Sequence, residues 1–257
     1  MIKHTVALVL TLFALAYSLT ATAKSPSYNY ADISYQKSTG SRFIDFQGPS
    51  IAASHLISSN WFIEGAFYDG HNNDGLPEFN LSSFRFDLRR WNFGAGYKNE
   101  LFSQSNWYTS LNYVEKRSKI SNISNNFERS RSIDGWNIKA GIRSNITDRF
   151  EVGVQALYET LSGSSPQTQA ANIPPEEDNT IVLFNEPDIQ NSLKDNRYSL
   201  SGYTLFKLSS TLGLKAAIEY GDNRESETSM SPGQSETVSS LKDNNTTYTL
   251  GLRWIFS

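Results

Sequence analysis

The sequence contains no cysteine, which excludes disulfide staples and thiolate metal sites. Histidine is scarce as well: His4, His55 and His71 are the whole supply, so imidazole chemistry has little to work with. Beyond residue 23 no apolar stretch is long enough for a helix to cross a bilayer. The charge balance gives no support to nucleic-acid binding either. The formal net charge is −3, and nucleic-acid binding would need clustered cations.

What is present begins with a secretory signal over residues 1–23. Lys3 and His4 form a short polar start, Val6 to Tyr17 is almost unbroken apolar sequence, and Ala21-Thr22-Ala23 supplies a small-x-small cleavage site. Removing this segment takes away only Lys3, so 22 basic residues then face 26 acidic ones and the net charge becomes −4. An exported domain over 24–257 without disulfides needs another source of stability. A closed β-barrel provides it, because every strand is paired along both edges.

Period-two alternation over stretches of about ten residues predicts strands near 28–37, 46–57, 60–69, 84–98, 105–117, 131–144, 149–161, 195–208, 211–222 and 245–256. In one of them Trp136, Ile138, Ala140 and Ile142 alternate with Asn137, Lys139, Gly141 and Arg143. In another Tyr248, Leu250, Leu252, Trp254 and Phe256 alternate with Thr249, Gly251 and Arg253. Helical i+3/i+4 spacing is missing from these segments. Short links near 58–60, 99–104, 145–148 and 209–210 alternate with long polar links near 38–45, 70–83, 118–130, 162–194 and 223–244. That pattern fits short periplasmic turns and long extracellular loops. Trp61, Trp107 and Phe150 open upward strands, and Tyr97, Phe206, Trp254 and Phe256 close downward ones, so all seven fall at the periplasmic interface, where amphipathic rings are favoured. The expected fold is all-β: a transmembrane antiparallel up-and-down β-barrel of about ten strands, with eight or twelve as alternatives. A soluble lipocalin-like barrel would instead turn its apolar face inward.

A weak repeat relates Trp91-Asn92-Phe93-Gly94-Ala95-Gly96-Tyr97 to Trp136-Asn137-Ile138-Lys139-Ala140-Gly141-Ile142. The first of these segments, with Tyr28-Asn29-Tyr30-Ala31-Asp32-Ile33-Ser34-Tyr35 and Tyr248-Thr249-Leu250-Gly251-Leu252-Arg253-Trp254-Ile255-Phe256, resembles the small porin-like outer-membrane β-barrel family. The likeness covers most of the chain after residue 23, and its motifs specify barrel strands rather than an activity. It implies a bacterial outer-membrane location, commonly eight strands, and a terminal aromatic read by the barrel assembly machinery. Here Ser257 follows Phe256, so that signal is offset by one residue.

The strand parity points Arg90, Lys116, Lys139, Arg143, Lys207, Lys215 and Arg253 inward, together with Asp32, Glu64, Glu151, Glu159 and Glu219. Charges of both signs in a narrow bore should pair, whereas a selective pore favours a ring of one sign. The expectation is a non-enzymatic barrel with a charge-plugged lumen and long loops for surface interaction. A narrow porin for small solutes is the alternative, and a rim hydrolase built on His71 beside Asp69 and Asp74 is a third. No catalytic, cofactor or metal residue is assigned. The Asp/Asn-rich stretch around His71 lacks the ligand spacing of a calcium loop. Lys116, Arg117, Lys119, Arg129 and Arg131 bracket one basic loop. Glu176, Glu177, Asp178, Glu186, Asp188 and Asp195 make another acidic. The expected partners are outer-membrane lipid, lipopolysaccharide and the barrel assembly machinery, with no nucleic acid; the oligomeric state is left open.

Overall fold

The computed structural model describes residues 24–40, 45–72, 84–122, 127–165, 190–230 and 237–256. The expected signal segment over 1–23, Asp74, the acidic positions 176–188 and Ser257 lie outside the described residues, as do residues 179–188, which by sequence could add part of another hairpin. Ten strands follow one another: β1 (Tyr30–Gly40), β2 (Phe46–Leu56), β3 (Trp61–Asn72), β4 (Phe84–Phe102), β5 (Ser105–Asn122), β6 (Phe127–Asn145), β7 (Phe150–Ser165), β8 (Gln190–Lys207), β9 (Leu212–Met230) and β10 (Thr237–Ile255). They pair antiparallel in sequence order and close between β1 and β10. The strand count is ten.

Hydrogen-bond register fixes the barrel's dimensions. Following it from Gly40 through Asn245, Gly221, Ser199, Leu157, Lys139, Ser110, Gly96, Phe62 and Leu56 leads back to the level of Tyr28, twelve residues earlier on the first strand. A stagger of that size, at about 3.3 Å per residue and about 4.8 Å between strands, tilts the strands by roughly 40°. The same spacing makes the barrel about 20 Å across between backbones, and facing side chains take up much of that width.

β4 to β10 run well past the length needed to cross a bilayer, whereas β1 to β3 are 11 or 12 residues long. Much of what the sequence assigns to loops over 118–130 and 223–244 is therefore paired strand; Lys119 faces Ser130 and Arg224 faces Lys242. The physical reason is simple. Above the bilayer both faces are polar, so hydrophobic alternation disappears, while each backbone N–H and C=O still needs a partner.

The outward face carries the apolar residues. Ile33, Ile51, Phe93, Leu111, Ile138, Leu214, Ile218 and Leu250 are exposed on it. Below them lie Trp61, Tyr97, Trp107, Phe206, Trp254 and Phe256, with Tyr97 between Trp61 (5.3 Å) and Trp107 (5.8 Å). Above them Tyr35, Phe67, Trp91, Tyr113, Trp136, Tyr158, Tyr198, Tyr220 and Tyr248 form a second belt, one residue from each strand except β2. The next outward residue on these strands is polar, as in Phe67 to Asp69, Trp91 to Arg89 and Tyr220 to Asp222. Two aromatic belts around an apolar band mark the two membrane interfaces.

Three of the short turns share one construction. Ile57, Ile146 and Leu208 donate their N–H to the carbonyls of Trp61, Phe150 and Leu212. Ser58, Thr147 and Ser209 accept from the N–H of those same residues with their hydroxyls. The local pattern is apolar–Ser/Thr–x–x–apolar, a hydroxyl-closed turn that needs no glycine.

Candidate functional site

Inward residues build a floor and, above it, a cavity. The floor starts with the segment before β1, which folds across the lower mouth. The sequence reading starts the first strand at Tyr28; instead the strand begins at Tyr30 and Tyr28 turns into the bore, 2% exposed. Its ring lies 4.9 Å from Phe62 and 6.1 Å from Tyr108. Arg143 stacks over it at 4.5 Å and donates to the Ser27 carbonyl at 2.8 Å.

Glycines seat these rings. Phe62, Tyr108 and Tyr203 lie directly across from Gly96, Gly141 and Gly153 on neighbouring strands. A Cβ at Gly96 would stand 2.2 Å from the Phe62 ring, one at Gly141 2.8 Å from the Tyr108 ring, and one at Gly153 2.1 Å from the Tyr203 ring. Each aromatic can lie flat only because its neighbour has no side chain. Gly96 and Gly141 hold equivalent places in the 45-residue repeat, so the repeat encodes ring seats.

Ion pairs tie the floor together. Arg143 donates to Glu151 at 3.0 and 2.8 Å, and the Tyr203 hydroxyl donates to the same carboxylate at 2.6 Å. Arg253 grips Asp32 with two hydrogen bonds, at 2.6 and 2.8 Å, and stacks 3.8 Å over Tyr30; Lys215 donates to Asp32 at 2.8 Å. Glu151 and Arg253 are 1% and 3% exposed, so each would be costly without its partners. Lys207 donates to the Asn145 side chain at 3.1 Å.

Higher up, the pairs bridge the bore. Lys139 on β6 reaches Glu64 on β3 at 2.8 Å, and Ser110 donates to the same carboxylate at 2.7 Å. Arg90 on β4 pairs with Glu159 on β7, Lys116 on β5 with Asp195 on β8 at 2.8 Å, and Arg197 with Glu219. The first three span three strands each and cross the interior rather than follow the wall. Asp195, grouped by sequence with an acidic loop, and Arg197, which parity reasoning passed over, both belong to this network. The signal for them was available: both continue the inward parity of Tyr203 on β8. The cavity left between floor and outer strand ends has a volume of about 690 Å³. On the β10–β1–β2 side the lining between Asp32 and Asp243 is uncharged, with Ser34, Gln36, Ser50, Thr247 and Thr249.

The rim residues sort differently. The basic group around 116–131 lies on strands and is largely neutralised: Lys116 by Asp195, Arg117 by Glu115, Lys119 by Glu128 and Arg131 by Glu225. Arg117 and the Trp91 indole hold the outward Glu115 carboxyl below its usual range. His71 faces outward opposite Gln47 and Asp87, while Asp69 is taken by Arg89 at 3.2 Å. Among the described residues no group of three or more His, Asp or Glu is placed to hold a metal ion.

No family profile matches the sequence, and no curated protein matches it. Among solved structures it is similar to the outer membrane protease OmpT from Escherichia coli, at 13% identity over 93% of this chain and 100% of that one, with a TM-score of 0.47. It is also similar to Ail, the attachment invasion locus protein of Yersinia pestis (12%, 91% and 99%, TM-score 0.38), and to Neisserial surface protein A (12%, 88% and 95%, TM-score 0.39). What decides the assignment is in the molecule: a closed barrel, apolar outside between two aromatic belts and ionic within. The chain is an outer-membrane β-barrel. In such a barrel the lumen, not the outer wall, is where polar chemistry concentrates.

Proposed function

We propose that this outer-membrane barrel is non-enzymatic and non-conducting, and that its extended hairpins present an interaction surface at the cell exterior. The floor carries the reading: Tyr28, Phe62 and Tyr108 pack together beside the Arg143–Glu151 and Arg253–Asp32 pairs. A solute leaving the cavity downward would have to separate buried opposite charges, at a cost of several kcal/mol. β4 to β10 meanwhile lift paired, polar strands clear of the upper aromatic belt, a rigid platform for contacts. Planar-bilayer recording tests this. The full chain should give no stable conductance steps, and Tyr28→Ala/Phe62→Ala should open them. Stable, anion-preferring steps in the unsubstituted protein, diminished by Arg90→Ala, would overturn the reading.

That outcome would support the second reading, a narrow porin for small solutes. One observation favours it: the cavity of about 690 Å³ reaches toward the outer strand ends and is lined by Arg90, Lys116, Arg131 and Lys215.

A further inference from the structure

Charge above the upper aromatic belt is distributed unevenly around the barrel. On the outward face of β3 to β6, cations and anions are matched: Arg89 with Asp69, Arg85 with Asp87, Arg117 with Glu115 and Lys119 with Glu128. Asp134 adds one more acid there, accepting from Tyr113 at 3.0 Å.

The face formed by β8, β9, β10 and β1 differs. Arg224 and Lys242 stand directly opposite each other on paired strands, an arrangement that is destabilising for like charges. They share a single carboxylate, Asp222, at 3.8 and 3.1 Å. Lys194 lies one strand further, opposite Ser226 and diagonal to Arg224. Lys37 flanks the group on β1, beside Tyr248. Lys194 and Lys37 have no carboxylate within salt-bridge distance among the described residues, and all four cations are exposed. Among the described residues Asp45, just before β2, is a further acid at this edge, and Asp243 lines the cavity inside it.

Lys37 is level with Tyr248, while Lys194 and Arg224 lie four residues beyond Tyr198 and Tyr220 and Lys242 six beyond Tyr248, all on the headgroup side of the upper belt. We propose that this face docks the phosphate groups of an outer-leaflet lipid, with Arg224 and Lys242 as the primary clamp and Lys194 as a third donor. Phosphate suits them because it accepts several charge-assisted hydrogen bonds at once and removes the Arg224–Lys242 repulsion. The tyrosines below give the acyl chains of the same molecule an apolar seat. The proposal rests on the barrel's place in the membrane and is independent of whether the lumen conducts.

Native mass spectrometry of the full refolded chain in detergent, titrated with bisphosphorylated lipid A or a phosphate-free analogue, provides the test. The phosphorylated lipid should be retained, the analogue should bind at least tenfold more weakly, and Lys194→Gln/Arg224→Gln/Lys242→Gln should lose the difference. Arg85→Gln/Arg89→Gln/Arg117→Gln on the matched face should keep it. Millimolar inorganic phosphate should not displace the lipid; if it does, the site is for a soluble anion and lipid docking is overturned. Equal retention of both lipids also overturns it.

Discussion

Arg143 touches four partners: the Glu151 carboxylate, the Ser27 carbonyl and the rings of Tyr28 and Tyr30. Replacing it with Met would keep much of the volume and leave Glu151 buried with its main counter-charge gone, since Arg253 stands 3.8 Å away. Arg143→Met should destabilise the barrel by about 3–5 kcal/mol, the usual cost of breaking a buried pair. Lys207→Met, which removes no ion pair, should cost far less. Urea unfolding in lipid vesicles would compare the two, and similar losses would show that the Arg143–Glu151 bond is not what holds the floor. The ring seats make a second residue-scale prediction. Gly96→Val or Gly141→Val should force Phe62 or Tyr108 out of its flat position, at about 1–3 kcal/mol of overpacking, while Gly202→Val, where only a backbone atom at 3.9 Å is near, should be tolerated better.

At the scale of the element, the β5–β6 hairpin is a paired ribbon above the membrane rather than a loop. Replacing 119–129 with a short Gly/Ser link removes the Lys119–Glu128 pair, whose side chains are 43% and 58% exposed, and such surface pairs contribute about 0–1 kcal/mol. The barrel should still insert and unfold within about 1 kcal/mol of the parent, since the buried cluster of Val114, Ile133, Leu161 and Leu193 lies below the cut. Loss of insertion would make the ribbon part of the folding unit and weaken the platform reading. The turns are more demanding. Ser58→Ala, Thr147→Ala and Ser209→Ala together remove three hydroxyl acceptors and should cost roughly 0.5–1.5 kcal/mol each, read from the same unfolding curves.

For the whole molecule, closure with a twelve-residue stagger sets both the width and the plugging. About 20 Å between backbones lets Arg, Lys, Asp and Glu on strands three apart meet across the interior. A wider barrel would separate them. The folded chain should therefore resist SDS at room temperature and shift its electrophoretic mobility only on boiling. In the Arg143→Met variant that shift should begin at a lower temperature. Migration that is the same before and after boiling would argue against a closed barrel in the membrane.

Period-two alternation by itself determined the strands, their facing and the inward direction of Asp32, Glu64, Arg90 and the other lumen charges, because side chains on a strand must alternate between two sides. It also placed the lower aromatic belt. It falls short where alternation fades: it groups Asp195 with the acidic loop although the residue opens the strand expected over 195–208, and it shows no strand in the ribbons over 118–130 and 223–244. The tertiary structure alone decided who pairs with whom. Arg90 meets Glu159 and Lys116 meets Asp195 because the stagger brings residues three strands apart to one height. Likewise, Tyr28 leaves the strand pattern because glycines elsewhere in the chain open room for the rings it packs against. No local sequence window contains that register, since it is a property of the closed ring.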